Sequence, residues 1–215
     1  MNIQVKICGL STPETIEASL SAGADYLGFT FFPRSPRHLS FETAAALAAL
    51  VPSSALKVAL TVDADNATFD ALIEALQPDV LQLHGHETPE RLIDLKARYG
   101  ITLMKAIGVA EPDDPLRAAI YRDSADLLLF DAKPPKSMVD ALPGGNGRAF
   151  DWSLIARHRP DMPWMLSGGL NASNVAEAIQ MTGAEAVDVS SGVEDQPGRK
   201  TPDLIEAFIR AAKAV

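Results

Sequence analysis

The chain has 215 residues, of which 47% are hydrophobic and 22% charged, so it is long enough for one domain with a sizeable core. Its net charge of −9 argues against a surface that binds nucleic acid or anionic lipid. The single cysteine, Cys8, excludes an intrachain disulfide and a zinc site built from several thiolates. No apolar run approaches the roughly 20 residues of a membrane span, and the N-terminal segment does not resemble a signal peptide, so we expect a cytoplasmic protein.

Apolar runs that resemble strands alternate with segments that resemble helices along the whole chain. The predicted strands are residues 3–8, 25–32, 56–62, 80–83, 102–107, 125–130, 163–166 and 186–189. The predicted helical segments are residues 12–22, 40–50, 66–76, 89–99, 114–122, 152–157, 174–181 and 202–214. Ser40 is a candidate N-cap for the second helix, and Gly100 is expected to end the fourth.

The strands are continuous apolar runs, which is typical of parallel strands that are covered by helices. Eight strand–helix units predict an α/β protein with one domain, residues 1–215, folded as a (βα)8 or TIM barrel. A doubly wound sheet is the alternative, but it normally has fewer strands. Residues 132–149 form the one long irregular segment, and such segments are usually binding loops or lids.

Two predicted strands near the C-terminus end abruptly in small residues. The seventh ends at Ser167-Gly168-Gly169 and the eighth at Ser190-Ser191-Gly192. Glycine lets backbone N–H groups approach a ligand closely, and a following helix directs its dipole toward the same point. The loops after strands 7 and 8 of a barrel commonly bind phosphate. We therefore predict a phosphate site here, with two ordinary tight turns as the alternative.

Two other strands end in side chains suited to proton transfer. Cys8 ends strand 1, where it is either a small buried hydrophobe or a thiolate base or nucleophile at the barrel mouth. Lys6 lies on the same side of the strand and would favour the thiolate. Asp131 directly follows strand 6, and a carboxyl group at the edge of an apolar layer suits a general acid. A structural ion pair of Asp131 with Lys133 or Lys136 is the alternative.

Further candidates follow strands 2, 4 and 5. Arg37 is either a solvated loop residue or a guanidinium that recognises a carboxylate. His84 and His86 could bind a metal with Asp63, but no third strong ligand is evident, so we predict no metal. We favour a His84 that either faces the substrate or simply has its hydrogen bonds satisfied within the protein. Lys105 could instead form a Schiff base, as in an aldolase-type barrel.

Six motifs, taken together and in order, resemble the phosphoribosylanthranilate isomerase family. They are KICG (6–9), GF…SPR (28–37), QLHG (82–85), GGNG…FDW (144–152), SGGL…NV (167–175) and DVSSGVE (188–194). The motifs span nearly the whole chain and are specific as a set. Strand 3 departs from the family pattern, because residues 60–63 read LTVD where the family often has an aromatic residue.

The resemblance implies a TIM barrel of tryptophan biosynthesis that works without a cofactor. Its reaction, the third step from chorismate, is an Amadori rearrangement of N-(5-phosphoribosyl)anthranilate to 1-(2-carboxyphenylamino)-1-deoxyribulose 5-phosphate. Asp131 would be the general acid that opens the furanose ring, Cys8 the general base that removes the C2 proton, and Arg37 the group that holds the anthranilate carboxylate. The phosphate would be bound by Gly168, Gly169, Ser190, Ser191 and Gly192, together with Gly145 of the long loop.

Two other functions remain open from the residues alone. One is a different phosphosugar enzyme, either a metal-dependent epimerase or an aldolase that uses Lys105 or Lys133. The other is a barrel that only binds a phosphorylated ligand, which is disfavoured because Cys8 and Asp131 both occupy mouth positions. In each case we expect a small phosphorylated ligand, no nucleic-acid or membrane partner, and a chain that is either a monomer or a homodimer.

Overall fold

Eight parallel strands form a closed barrel in the computed structural model, which describes residues 3–133, 144 and 150–215. Each strand pairs with the next along the chain, and the eighth pairs with the first. The strands are β1 Gln4–Cys8, β2 Tyr26–Phe31, β3 Leu56–Thr61, β4 Val80–Leu83, β5 Thr102–Val109, β6 Leu127–Ala132, β7 Trp164–Leu166 and β8 Ala186–Val189. The predicted (βα)8 barrel is therefore confirmed, and the doubly wound sheet is wrong.

Helices follow most of the strands and cover the outside of the barrel. They are α1 Pro13–Ala22, α2 Phe41–Ala48, α3 Asn66–Leu76, α4 Pro89–Tyr99, α5 Ser153–Arg157, α6 Val175–Thr182 and α7 Pro202–Lys213. After β5 the chain forms a 3₁₀ helix, Asp114–Tyr121, within the segment that was predicted to be helical. None of the helices in the described ranges is long and apolar enough to cross a membrane.

The segment after β8 contains two elements that the sequence did not predict. A short 3₁₀ helix, Ser191–Val193, is followed by an antiparallel hairpin of β9 Glu194–Gln196 and β10 Arg199–Lys200. These strands are too short and too polar to give a periodic hydrophobic signal. Most of the predicted loop 132–149 lies outside the described residues.

The helix boundaries follow from the capping residues. Ser40 Oγ accepts a hydrogen bond of 3.1 Å from the N–H of Thr43, so the predicted N-cap of α2 is confirmed. Gly100 ends α4 in the left-handed conformation, with φ of 63°, which is also as predicted. Such residues satisfy backbone groups that a helix end would otherwise leave without partners.

The inside of the barrel is apolar at one end and polar at the other. The lower layer is a cluster of buried side chains, namely Val58, Val80, Met104, Ala106, Leu129, Met165 and Ala186. Lys6, Gln82 and Asp188 lie further along their strands and are also buried. The apolar layer therefore closes the bottom of the barrel, and the polar side chains lie toward the C-terminal ends of the strands, where barrel enzymes have their active sites.

The last helix secures the closure of the barrel, because α7 packs against both α1 and β1. Phe208 of α7 is completely buried, whereas Leu204 on the same helix is 37% exposed. We expect Phe208→Ala to lower the free energy of unfolding by about 3–5 kcal/mol, since it removes a large buried side chain and leaves a cavity.

Leu204→Ala is the matched control on the same helix, and it should cost roughly 1 kcal/mol or less. Urea denaturation of both variants measures the difference. Equal losses in the two variants would show that the packing of α7 on the barrel does not depend on Phe208.

Candidate active site

A pocket opens at the C-terminal ends of the barrel strands. Its lining includes every predicted site residue that the structure describes, namely Cys8, Arg37, His84, Asp131, Gly168, Gly169, Ser190, Ser191 and Gly192. Gly145, the remaining predicted site residue, lies outside the described residues. Residues that are distant in sequence thus line one pocket at the mouth of the barrel.

Cys8 lies beside a buried ion pair. Lys6 is completely buried, and its Nζ lies 2.7 Å from Oδ1 of Asp188, whose other oxygen accepts a 3.0 Å hydrogen bond from Ser167 Oγ. The charge of Lys6 also interacts with the Cys8 thiol. Burial raises the pKa of the Cys8 thiol above its ordinary value, and the nearby charge of Lys6 opposes that rise. Lys6 therefore favours the thiolate, as the sequence predicted.

Arg37 is a buried residue of the pocket wall, so the alternative of a solvated loop arginine is wrong. Its Nε lies 2.7 Å from Oε1 of Glu194, and its Nη2 lies 2.8 Å from Oε2 of the same carboxylate. Burial alone would lower the pKa of Arg37, but the hydrogen bonds to Glu194 raise it, so the guanidinium stays charged. Glu194 ends the DVSSGVE motif, but nothing in the motif identifies it as the partner of Arg37.

The approach of Arg37 to strand β1 requires a glycine at position 9. Gly9 has φ of 81°, a conformation that other residues rarely adopt. A Cβ atom built on Gly9 would lie 2.6 Å from Cδ of Arg37. The glycine of the KICG motif thus makes room for the arginine side chain to cross beside Cys8.

Asp131 lies within β6, one position beyond the predicted end of that strand, because β5 and β6 continue to pair there. Its Oδ2 lies 3.3 Å from Nε2 of His84, and its Oδ1 accepts a hydrogen bond from the N–H of Ala132. Gln82, a pocket residue that the sequence did not single out, holds the other nitrogen of His84 at 3.0 Å. Gln82 lies inside a short apolar strand, where polar side chains are easily overlooked.

Neither of the proposed lysine partners of Asp131 is seen to pair with it. Lys133 instead lies 3.3 Å from Oδ1 of Asp114, and Lys136 lies outside the described residues. Within those residues, Asp131 makes its side-chain contact with His84. Asp131 therefore lines the pocket beside His84.

The two glycine turns lie side by side, as predicted, because β7 and β8 are paired neighbours. Gly168 and Gly169 have successive positive φ angles of 87° and 67°. Turns of this kind gather backbone N–H groups into a concave site for anions. Ser190 Oγ donates a 3.0 Å hydrogen bond to the carbonyl oxygen of Cys8, which ties the second turn to the end of β1.

Lys105 and His86 have their interaction partners outside the pocket. Nζ of Lys105 lies 2.9 Å from Oε2 of Glu87 and also donates to backbone carbonyl oxygens, and Lys105 is not among the pocket-lining residues. This geometry argues against a Schiff-base lysine. His86 pairs on the surface with Asp63 at 3.0 Å. Across residues 3–133, 144 and 150–215, no group of three or more His, Cys, Asp or Glu side chains could hold a metal ion.

Comparison with known proteins decides the family. A sequence profile of N-(5'-phosphoribosyl)anthranilate (PRA) isomerase matches residues 5–211. The chain belongs to the PRA isomerase family. It is 78% identical to the N-(5'-phosphoribosyl)anthranilate isomerase of Parvibaculum lavamentivorans over 99% of both chains, and 55% identical to that of Rhodopseudomonas palustris over 100% of both.

Solved PRA isomerase structures have the same fold. The phosphoribosyl anthranilate isomerase of Thermotoga maritima matches with a TM-score of 0.88 and 37% identity, over 99% of this chain and 100% of that one. A phosphoribosyl anthranilate isomerase solved in complex with reduced 1-(o-carboxyphenylamino)-1-deoxyribulose 5-phosphate matches with a TM-score of 0.85 and 36% identity, over 99% and 100%. The comparisons thus agree with the family resemblance seen in the motifs.

Strand β3, where the sequence departs from the PRA isomerase pattern, contributes an aliphatic wall. Leu60 and Val62 line the pocket, and Phe32 lies on the same lining. An apolar surface therefore remains available without the aromatic residue that the family often has at this strand.

The charge of Lys6 can be tested through the titration of Cys8. Lys6→Met removes the cation that opposes the effect of burial, so the pKa of the Cys8 thiol should rise further above its ordinary value. We expect the midpoint of the pH dependence of Cys8 alkylation by iodoacetamide, followed by mass spectrometry, to move to higher pH.

Lys105→Met is the matched control, because it removes an equally buried lysine whose partner is Glu87. It should leave the Cys8 midpoint where it is in the parent chain. A Lys6→Met midpoint that stays in place, in a protein that still melts cooperatively, would contradict the electrostatic role of Lys6.

Proposed function

We propose that Cys8 and Asp131 perform the isomerase reaction of the PRA isomerase family in this pocket. The enzyme converts N-(5'-phosphoribosyl)anthranilate into 1-(2-carboxyphenylamino)-1-deoxyribulose 5-phosphate, an Amadori rearrangement of tryptophan biosynthesis. Arg37 binds the anthranilate carboxylate, and the turns after β7 and β8 bind the phosphate, with Gly145 as a further phosphate contact. His84 contacts the substrate from β4.

The order of the groups around the mouth carries this proposal. Asp131 lies on β6, the glycine turns follow β7 and β8, Cys8 ends β1, and Arg37 follows β2. A phosphate held by the turns therefore lies between the strand of the acid and the strand of the base. The sugar attached to that phosphate then extends into the pocket between the two proton-transfer groups.

The proposed reaction needs one proton donor and one proton acceptor. Asp131 donates a proton to the furanose ring oxygen, the C1–O bond breaks, and the nitrogen lone pair forms the Schiff base. The Cys8 thiolate then removes the proton from C2, and the electron pair of that bond moves toward the iminium nitrogen. The resulting enolamine tautomerises to the ketone, so substrate and product have the same atoms and oxidation is balanced within one molecule.

The surroundings of the two groups support these roles. Lys6 favours the thiolate form that a base requires, and the ion pair with Asp188 holds Lys6 beneath Cys8. The apolar wall of Phe32, Leu60 and Val62 offers a surface for the anthranilate ring. Because the rearrangement moves only protons and electron pairs within the substrate, we propose that it proceeds without a cofactor or metal.

We also propose a cellular location and an assembly state. We retain a cytoplasmic location and a chain that is either a monomer or a homodimer as predictions. A relative from Thermotoga maritima is described as a dimeric phosphoribosylanthranilate isomerase from which monomers were generated. Both assembly states thus occur among structures that share this fold.

Replacement of the base tests the proposed mechanism. Cys8→Ser should lower kcat by at least about 10²-fold, since general base catalysis typically contributes about 10²–10⁴-fold and a serine hydroxyl is too weak an acid to supply its conjugate base near neutral pH. The measurement is the decay of the fluorescence of freshly prepared phosphoribosylanthranilate after the enzyme is added.

Two controls accompany Cys8→Ser. A thermal melt reports the fold, and calorimetric titration with a reduced product analogue reports binding, which should stay within about threefold of the parent. A serine variant that keeps more than roughly a tenth of the parental kcat would remove Cys8 from the proton transfer.

The phosphate site can be tested with a charge. Gly169→Asp places a carboxylate beside the predicted anion, and repulsion between unit charges at about 4 Å is roughly 4 kcal/mol at an effective dielectric constant near 20. We expect calorimetric titration to show a severe loss of inorganic phosphate binding.

Gly100→Asp is the matched control, because Gly100 also has a left-handed conformation, with φ of 63°, but ends α4 away from the pocket. It should cost similar stability and leave phosphate binding intact. Parental phosphate affinity in a folded Gly169→Asp protein would show that the turn after β7 does not bind the anion.

A further inference from the structure

The hairpin of β9 and β10 carries a buried carboxylate that joins several parts of the site. Glu194 has only 3% of its side chain exposed, and both of its oxygens accept hydrogen bonds from Arg37. Nζ of Lys200 lies 2.8 Å from Oε1 of the same carboxylate, and the N–H of Gly198 donates to Oε2 at 3.1 Å. Glu194, on β9, is thus held by Lys200 of β10 and by the turn between the two strands.

Lys200 extends this network to one of the glycine turns. Its Nζ also donates a 3.0 Å hydrogen bond to the carbonyl oxygen of Ser190, at the start of the turn after β8. The hairpin also touches the loop that carries Arg37, because a Cβ atom built on Gly198 would lie 2.7 Å from the carbonyl oxygen of Pro36. The proposed carboxylate site and the proposed phosphate site are therefore connected through one short segment.

The charges of the three side chains add up to a cationic group. Arg37 and Lys200 each contribute a positive charge, and Glu194 contributes one negative charge, so the cluster as a whole is positive. An arginine paired with a glutamate alone would form a neutral pair and would attract a second carboxylate only weakly. Burial lowers the pKa of Lys200, and the contact with Glu194 opposes that change.

We infer that Glu194 is a positioning residue, which fixes the plane of the Arg37 guanidinium so that Arg37 can recognise the substrate carboxylate. The inference rests on the proposed role of Arg37. Two parallel hydrogen bonds to a carboxylate restrict a guanidinium to one plane, since both groups are planar and their geometries match. Because the two hydrogen bonds from Arg37 to Glu194 form before the ligand binds, the Arg37 side chain loses little conformational freedom on binding.

The test compares ligands with and without the carboxylate. The probes are a reduced product analogue, the corresponding phenylamino compound that lacks the carboxylate, and inorganic phosphate. Glu194→Gln should weaken binding of the carboxylate-bearing analogue by about tenfold, as expected for one impaired charge-assisted hydrogen bond. Binding of the other two probes should change by less than about twofold, and KM should rise much more than kcat falls.

A double-mutant cycle separates a role through Arg37 from a direct one. Arg37→Met should abolish the preference for the carboxylate-bearing analogue. In that background, Glu194→Gln should cause no further loss of the preference, because the group that it positions is absent. A carboxylate-specific loss that persists without Arg37 would overturn the inference.

Asp195→Asn is the matched control on the same hairpin. Asp195 is the next carboxylate in the chain, and it pairs with Arg199 at the surface rather than with Arg37. Its substitution removes the same charge and should leave all three affinities unchanged. A carboxylate-specific loss in Asp195→Asn that matches the loss in Glu194→Gln would show a general effect of charge and overturn the positioning role.

The possible outcomes also distinguish the inference from the proposed function. If Arg37→Met loses the preference for the carboxylate-bearing analogue and Glu194→Gln keeps it, the positioning role of Glu194 is wrong and the role of Arg37 stands. If Arg37→Met itself keeps the preference, both roles are wrong. Should Glu194→Gln not fold, Glu194→Asp keeps the charge but withdraws it by one methylene, and it should reduce the same preference.

Discussion

The buried ion pair of Lys6 and Asp188 joins the first and last strands of the barrel beneath its mouth. Two charges removed from water are costly unless each finds a partner, and loss of one partner from such a pair is typically more damaging than loss of both. Ser167, at the end of β7, donates to the same aspartate and brings a third strand into the network. The seam where the barrel closes is therefore also the place where the charge next to Cys8 is fixed.

The polar interior above the apolar layer explains how a folded scaffold holds reactive groups in place. Lys6, Gln82 and Asp188 point from strands whose backbones are fixed by sheet hydrogen bonds on both sides. Each contacts a residue nearer the mouth, so Cys8 and His84 are oriented from below. Groups on rigid strands keep their geometry better than groups on loops, which suits acid–base chemistry.

Much of this arrangement could be predicted from the chain alone, for a physical reason. Continuous apolar runs mark parallel strands, and the residue that ends each run reaches the mouth, so Cys8 and the Gly168 turn could be located by counting. The partners were harder to find, because Glu194 and Lys200 lie on a hairpin with no hydrophobic period. The pairing of Glu194 with Arg37 depends on a tertiary contact over 157 positions of sequence.

The side chains of the pocket lie on two kinds of structure, the barrel strands and the segments that include the β9–β10 hairpin. The groups suited to proton transfer and to phosphate lie on barrel strands or directly at their ends, whereas the arginine and its glutamate lie in a loop and a hairpin. Loops tolerate insertion and replacement far better than strands do. On the proposed roles of Arg37 and Glu194, exchange of the segments around them would change which aminosugar phosphate binds, while the groups on the barrel strands would stay in place.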